Sequence, residues 1–180
     1  MKIEQLMERE KIEANPLPYG YGDLAPVMSY KTVKYHYDLL TLKYFKKYNA
    51  TGDEYQKAGG FLHNLLWQNL QAPKPNNEPD LPHINKHIKM HFGNFDKFKS
   101  AFIETALTLH GSGWICAMDN GKMQTIQNHK IIKGIILIQD LYEHAMIFDY
   151  ENKTEEYLDN LWKIVNWNVV NARLMMRHEF

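Results

Sequence analysis

The stretch Ile135-Ile-Leu-Ile-Gln-Asp-Leu-Tyr-Glu-His-Ala-Met-Ile-Phe-Asp-Tyr150 decides how the rest of the chain is read. Its first four residues are aliphatic and mostly β-branched, a short apolar run that marks a buried strand. The run ends on Asp140, and His144 follows four residues later. A carboxylate leaving the end of a strand and an imidazole one turn further on can converge on one point, and the two together are a common pair of ligands for first-row metals. The same residues also read as a solvated aspartate beside a packed histidine, and the pair alone does not decide between these.

Working outward, the 180-residue chain is long enough for one domain or two small, closely packed ones. With 44% hydrophobic and 13% aromatic residues it can build a core, which excludes disorder. Lys+Arg and Asp+Glu are both 21, and this balance argues against nucleic acid or an anionic membrane surface as partner, while a local basic patch could still steer a small anion. The single cysteine, Cys116, excludes an internal disulfide framework and fits a reducing compartment. The charged start, Met1 to Lys11, lacks the apolar middle of a signal peptide, and no apolar run approaches the roughly 18–20 residues of a membrane helix. A cytoplasmic protein is expected.

The first half reads as two helices. Asn15 to Pro26 is dense in Pro and Gly, hence loop, and Ser29 caps a helix over Tyr30–Tyr48 that sets His36 and Tyr44 close to one face. A second helix is predicted from about Asp53 to Leu70. The pair Gly59-Gly60 in its middle costs about 2 kcal/mol relative to alanine, so either the helix breaks there or something packs on bare backbone. Gln71 to Pro79 reads as a linker dividing residues 1–74 from 80–180. Beyond it come a short helix at Ile84–His91, a helix from Gly93 to Leu109 capped by Asn94, and strands at Gly111–Met118, Met123–Asn128 and Ile135–Gln139. Strong helical periodicity runs on from Thr154. The fold class is α+β: a helical hairpin domain, then an α+β domain with a small three-stranded antiparallel sheet.

Nine histidines make the ligand set a matter of argument. His83, His87 and His91 recur every four residues, but their stretch is Lys-rich and reads as solvent-exposed. His110 lies near a helix end, where a cation suits the dipole, and His178 lies in the C-terminal tail. His36, His63, His129 and His144 sit among apolar or aromatic residues, where a core histidine with a hydrogen-bond partner is the alternative to a ligand.

Several blocks taken together resemble the iron/manganese superoxide dismutase family from about Leu17 to Arg177. They are Leu17-Pro-Tyr-Gly-Tyr-Gly-Asp-Leu-Ala-Pro26, the Tyr35-His36 helix with Tyr44, His63-Asn-Leu-Leu-Trp67 running into Ala72-Pro73, Phe92 to Lys99, Gly111-Ser-Gly-Trp114, Asp140-Leu-Tyr-Glu-His-Ala145 and Val165-Asn-Trp167. The resemblance implies a superoxide dismutase with one iron or manganese ion per subunit, held by His36, His63, Asp140 and His144 with a solvent molecule as fifth ligand. It makes Tyr44 the active-site tyrosine and Trp67, Trp114 and Trp167 an aromatic wall, with core packing the alternative for each. Through Glu143, which reaches the ligand histidine of a second subunit in the family, it implies at least a homodimer.

The chain also departs from the family pattern. Gly59, four before His63, stands where typical iron enzymes carry a glutamine on the solvent ligand, so the space is expected to be left for a group from the second domain. His129 is the expected replacement, with Gln127 the alternative, which points to iron or tolerance of either metal. Leu40 replaces the gateway histidine, Ile147 replaces the tyrosine that meets that gateway from the neighbouring subunit, and Tyr142 and Cys116 replace tryptophans. An active dismutase is the first reading. A catalytically weak, metal-binding relative with a redox-sensing or storage role is the alternative, and a zinc hydrolase on the same ligands is the third.

Overall fold

The computed structural model describes residues 11–176; the charged start through Glu10 and His178 lie outside them. One helical rod opens the fold. It comprises α1 (Tyr30–Lys34), a π-helical segment (Tyr35–Thr41) and α2 (Leu42–Thr51). The Ser29 hydroxyl accepts from the Thr32 N–H at 3.2 Å at the start, and Gly52 ends the rod in a left-handed conformation (φ +71°). Asp53 then caps α3 (Glu54–Gln68) by accepting from the Tyr55 N–H at 2.9 Å, so only two residues separate the helices, which pack as a hairpin.

The helix survives Gly59-Gly60 because aromatic rings lie on the bare backbone. A Cβ at Gly59 would come within 2.6 Å of the Tyr44 ring, and one at Gly60 within 2.9 Å of the Phe45 ring. The α2–α3 interface is thus closer than any larger residue would permit.

The second half carries α4 (Pro82–His91), α5 (Phe95–Leu107), β1 (Gly113–Met118), β2 (Met123–Gln127), β3 (Ile135–Asp140), α6 (Ile147–Tyr150), α7 (Thr154–Leu161) and α8 (Trp167–Met176). Asn94 caps α5 by accepting from the Lys97 N–H at 2.9 Å. The three strands form an antiparallel sheet in the order β2-β1-β3. Strands β1 and β3 are buried throughout, whereas the edge strand β2 is mostly open. This is why Ile135–Ile138 reads as continuous apolar sequence rather than as an alternation. Helix α5 packs on β1 and β2, while α3 and α8 pack on β3.

Two expectations are corrected. The periodicity from Thr154 is not one helix: it divides between Leu161 and Trp167, and Val165 instead bridges Leu70. The segment from Gln71 to Pro79 is correspondingly tied down. The N–H groups of Gln71 and Lys74 donate to the carbonyls of Ile164 and Lys163 at 2.8 and 3.0 Å, and the Asn77 amide donates to Trp162 and Val165. Backbone groups satisfied across the chain remove the demand for helical ones. The α4 histidines are also not uniformly exposed: His87 falls with Ile84 and Ile88 on the buried stripe that meets α8, while His83 and His91 are open. Cys116 is buried, and burial raises its thiol pKa, as suits an inert thiol.

Gly60→Val should destabilise the chain by about 1–3 kcal/mol, the usual cost of overpacking, read as a lower urea midpoint at unchanged m-value. An unchanged or raised midpoint would mean that the Phe45 ring does not need the bare backbone.

Candidate metal centre

Four elements deliver four side chains to one point. His36 comes from the π-helical segment, where the Thr41 hydroxyl donates to the His36 carbonyl at 3.1 Å and accepts from the Trp67 indole N–H at 2.9 Å. The wider turn has a positional effect. Eight residues at about 100° each overshoot two turns by about 80°, and a π turn rotates less per residue. His36 and Tyr44 are thereby brought to one face, and both rings meet His63, at centroid distances of 5.0 and 5.1 Å. His63 itself rides on α3, Asp140 ends β3, and His144 lies in a 3-10 turn, Glu143–Ala145. The Asp140 Oδ1 accepts from the Tyr142 N–H at 2.7 Å, an Asx turn that leaves Oδ2 facing the histidines.

The facing atoms are closely spaced. Asp140 Oδ2 lies 3.1 Å from His36 Nε2, 3.6 Å from His63 Nε2 and 3.2 Å from His144 Nε2, and the two nitrogens of His36 and His63 are 3.0 Å apart. His36, His63 and Asp140 have no exposure to water. A carbonyl only accepts, so the 2.6 Å contact of His63 Nδ1 with the Gly59 carbonyl fixes the proton on Nδ1. The Nε2 lone pair of His63 therefore points at a carboxylate oxygen, an arrangement of two acceptors that a cation resolves. Burial lowers the pKa of both His36 and His63, keeping them neutral. For Asp140, burial opposes the charged form, but the neighbouring His144 and His36 outweigh it and hold the carboxyl far below its usual range. Separations of 3.0–3.6 Å are those of adjacent ligands around an ion about 2.1 Å from each. Three imidazoles and one carboxylate therefore fit a single first-row metal ion. Among the described residues this is the one such cluster of His, Cys, Asp and Glu, and His83, His87 and His91 are not part of it.

The surrounding groups are fixed by donors that have no choice. The Trp114 indole N–H donates to His129 Nδ1 at 3.1 Å, so a neutral His129 carries its proton on Nε2. Burial lowers the His129 pKa to about 4, which keeps it neutral. Its Nε2–H lies 2.8 Å from the Tyr44 hydroxyl and 3.3 Å from that of Tyr142. Asn128, left-handed at φ +58°, ends β2 and turns the chain so that His129 enters while Gln127 stays exposed. A Cβ on Gly59 would meet the ring of Tyr44, from the same hairpin, and His129 meets that ring's hydroxyl.

Trp67 lies edge-on to His36 and Trp114 to His63, at centroid distances of 4.8 and 4.9 Å. Trp167 does not join them; it packs on Phe95 and donates to the Asn77 carbonyl. Tyr142 stacks between His129 and His144, at 5.0 and 5.2 Å. Glu143 is exposed and accepts from the Asn152 amide at 3.3 Å. Tyr55, which the sequence reading passed over, lies 4.7 Å from the His129 ring. Its signal was available: Tyr55, Gly59 and His63 recur every four residues on one helix face. Tyr55 also lines a cavity of about 170 Å³ with Leu40, Lys43, Tyr44, Lys47 and Gln56.

The buried imidazoles give the metal-free chain a pH dependence. In the folded state His129 protonates only near pH 4, and His36 and His63 are likewise held below the ordinary 6.5. As pH falls from about 6.5 towards 4 the unfolded chain takes up more protons than the folded one, so stability falls. The urea midpoint of the metal-free chain should therefore be lower at pH 5 than at pH 7.5. Equal midpoints would show that these rings are as open to protons folded as unfolded.

Comparison with known proteins places this geometry. Residues 80–173 match the family model for the iron/manganese superoxide dismutases, C-terminal domain. A protein named superoxide dismutase [Mn/Fe] 2 from Staphylococcus aureus is 32% identical, over 86% of this chain and 93% of its own length. Superoxide dismutase [Fe] from Bacteroides fragilis is 30% identical over 90% and 98%, and superoxide dismutase [Mn/Fe] from Aeropyrum pernix is 28% identical over 92% and 91%. With these matches, and with the four-residue cluster in place, this chain belongs to the iron/manganese superoxide dismutase family.

Proposed function

We propose that the chain disproportionates superoxide to dioxygen and hydrogen peroxide at one iron or manganese ion held by His36, His63, Asp140 and His144. The observation that carries this reading is the convergence of three imidazole nitrogens and one carboxylate oxygen, all within 4.8 Å of one another. When bound, iron or manganese supplies a one-electron couple that takes an electron from one superoxide and returns it to the next; zinc has no such couple.

The chain's own residues do the rest. Trp67 and Trp114 wall the cluster with rings and exclude water. His129, locked by Trp114, offers a permanent N–H to Tyr44. Burial raises the Tyr44 pKa, so its hydroxyl keeps the proton that peroxide formation needs. Tyr44 also lines the cavity flanked by Lys43 and Lys47, two cations that draw a small anion inward on a chain with no net charge.

The ion on this reading is iron, or either iron or manganese. His129 in place of a glutamine supports this, as do the [Mn/Fe] names of two of the relatives. Residues 1–74 and 80–180 act as two domains with the ion between them. The chain works as a homodimer in which exposed Glu143 reaches the partner's site, and as a cytoplasmic antioxidant enzyme. Among the described residues no helix is long and apolar enough to cross a membrane. Leu40, which lines the cavity with Tyr44, favours the alternative of a catalytically weak metal-binding relative with a redox-sensing or storage role, because it offers no proton there.

Purified protein should carry close to one iron or manganese per chain and scavenge superoxide. Asp140→Ala should lose both the metal and the activity. Metal without scavenging would select the weak relative, and zinc the hydrolase. Leu40→His should raise the rate of a metal-replete sample. A rate that does not move would show that the entrance is not limiting.

A further inference from the structure

Arg173 on α8 is mostly buried, and burial lowers its pKa to about 10. Its three hydrogen bonds all go to neutral oxygens. Nη2 donates to the Leu65 carbonyl at 2.9 Å, and Nη1 donates to the Ile136 carbonyl at 3.1 Å and to Asn69 Oδ1 at 3.2 Å. Leu65 O is among the last carbonyls of α3, where the helix dipole favours a cation; Ile136 O belongs to β3. One guanidinium therefore joins the end of the ligand-bearing helix to the ligand-bearing strand.

Asn69 completes the joint. Its side chain has no exposure to water. Its amide donates to the Ile138 carbonyl at 3.2 Å, and its Oδ1 accepts from the Ile138 N–H at 3.1 Å. It thus pairs with β3 as a neighbouring strand's backbone would. Asn69 is six residues after His63, and Ile138 is two residues before Asp140. His63 and Asp140 are thus carried by two elements that this joint ties to each other.

We propose that Asn69 and Arg173 act together as a positioning latch that sets His63 against Asp140, and so tune how tightly and in what geometry the site holds its metal. The inference rests on the proposed metal site. A latch of this kind acts on affinity, because ligands delivered from two separate segments must be held in register before the ion arrives. A merely structural role predicts something else: any break of equal cost at the junction between the halves would weaken binding alike. Asn77 provides that comparison. Its amide donates to the Trp162 and Val165 carbonyls, in the same junction, rather than to β3.

The test measures Mn²⁺ binding to the metal-free full chain by calorimetry, with the EPR spectrum of the bound ion and the urea midpoint recorded alongside. Asn69→Leu should weaken Mn²⁺ binding on the order of 10- to 100-fold, the range for lost supporting contacts, and should change the EPR spectrum. Arg173→Lys, which keeps the charge and loses the fork, should give a smaller loss of the same kind and serves if Asn69→Leu does not fold. The double variant should bind no more weakly than Asn69→Leu alone by more than about threefold. Asn77→Ala should lower the urea midpoint while leaving Mn²⁺ affinity and spectrum unchanged. Wild-type affinity and spectrum in the Arg173→Lys or Asn69→Leu chain, or equal loss in Asn77→Ala, would overturn the latch. Failure of the wild-type chain to bind Mn²⁺ or Fe²⁺ would instead overturn the metal site itself.

Discussion

A single carboxylate with no access to water, Asp140, is the constraint around which the molecule is arranged. Burying a negative charge is costly unless it is compensated. Here His144 and His36 compensate it, while the His63 lone pair faces the same oxygen and leaves the arrangement open to a cation. The strand beneath Asp140 is buried along its whole length, so the carboxylate cannot retreat to solvent. The helices that carry His36 and His63 must come to it. Bare glycine backbone allows that approach: Tyr44 and Phe45 settle on Gly59 and Gly60, closing the hairpin while Tyr44 still reaches His129.

Protonation is controlled by the same logic of groups with one possible role. The Gly59 carbonyl fixes the proton of His63, the Trp114 indole fixes that of His129, and the Tyr142 amide occupies the far oxygen of Asp140. None of these partners can reverse its direction. The site therefore presents lone pairs inward and one permanent N–H towards Tyr44, an order that a reaction consuming protons and cycling one electron at a time would need.

Much of this was legible in the residue order. Buried strand, terminal carboxylate and following imidazole could be read from Ile135–His144, because each depends on local pattern. Asn94 and Ser29 were readable as caps for the same reason. What was not legible depended on distant partners. The apolar periodicity after Thr154 is real, yet the helix breaks, because residues 162–166 are hydrogen-bonded by the segment after α3. The filling of the space at Gly59 could not be read, since it required knowing that Tyr44 lies directly opposite. The π turn at His36 was equally hidden: its sequence is unremarkable, and its one helper, Thr41, is identified only by its bond to Trp67. The roles of Asn69 and Arg173 are invisible without the sheet.

The most direct measurement is of the inner coordination sphere of the ion carried by the purified protein, by X-ray absorption or pulsed EPR on iron- or manganese-loaded samples. The account predicts one ion per chain with three imidazole nitrogens and one carboxylate oxygen bound, and loss of one imidazole signal in His63→Gln. An ion held without imidazole, or one whose imidazole count is unchanged by that substitution, would contradict it.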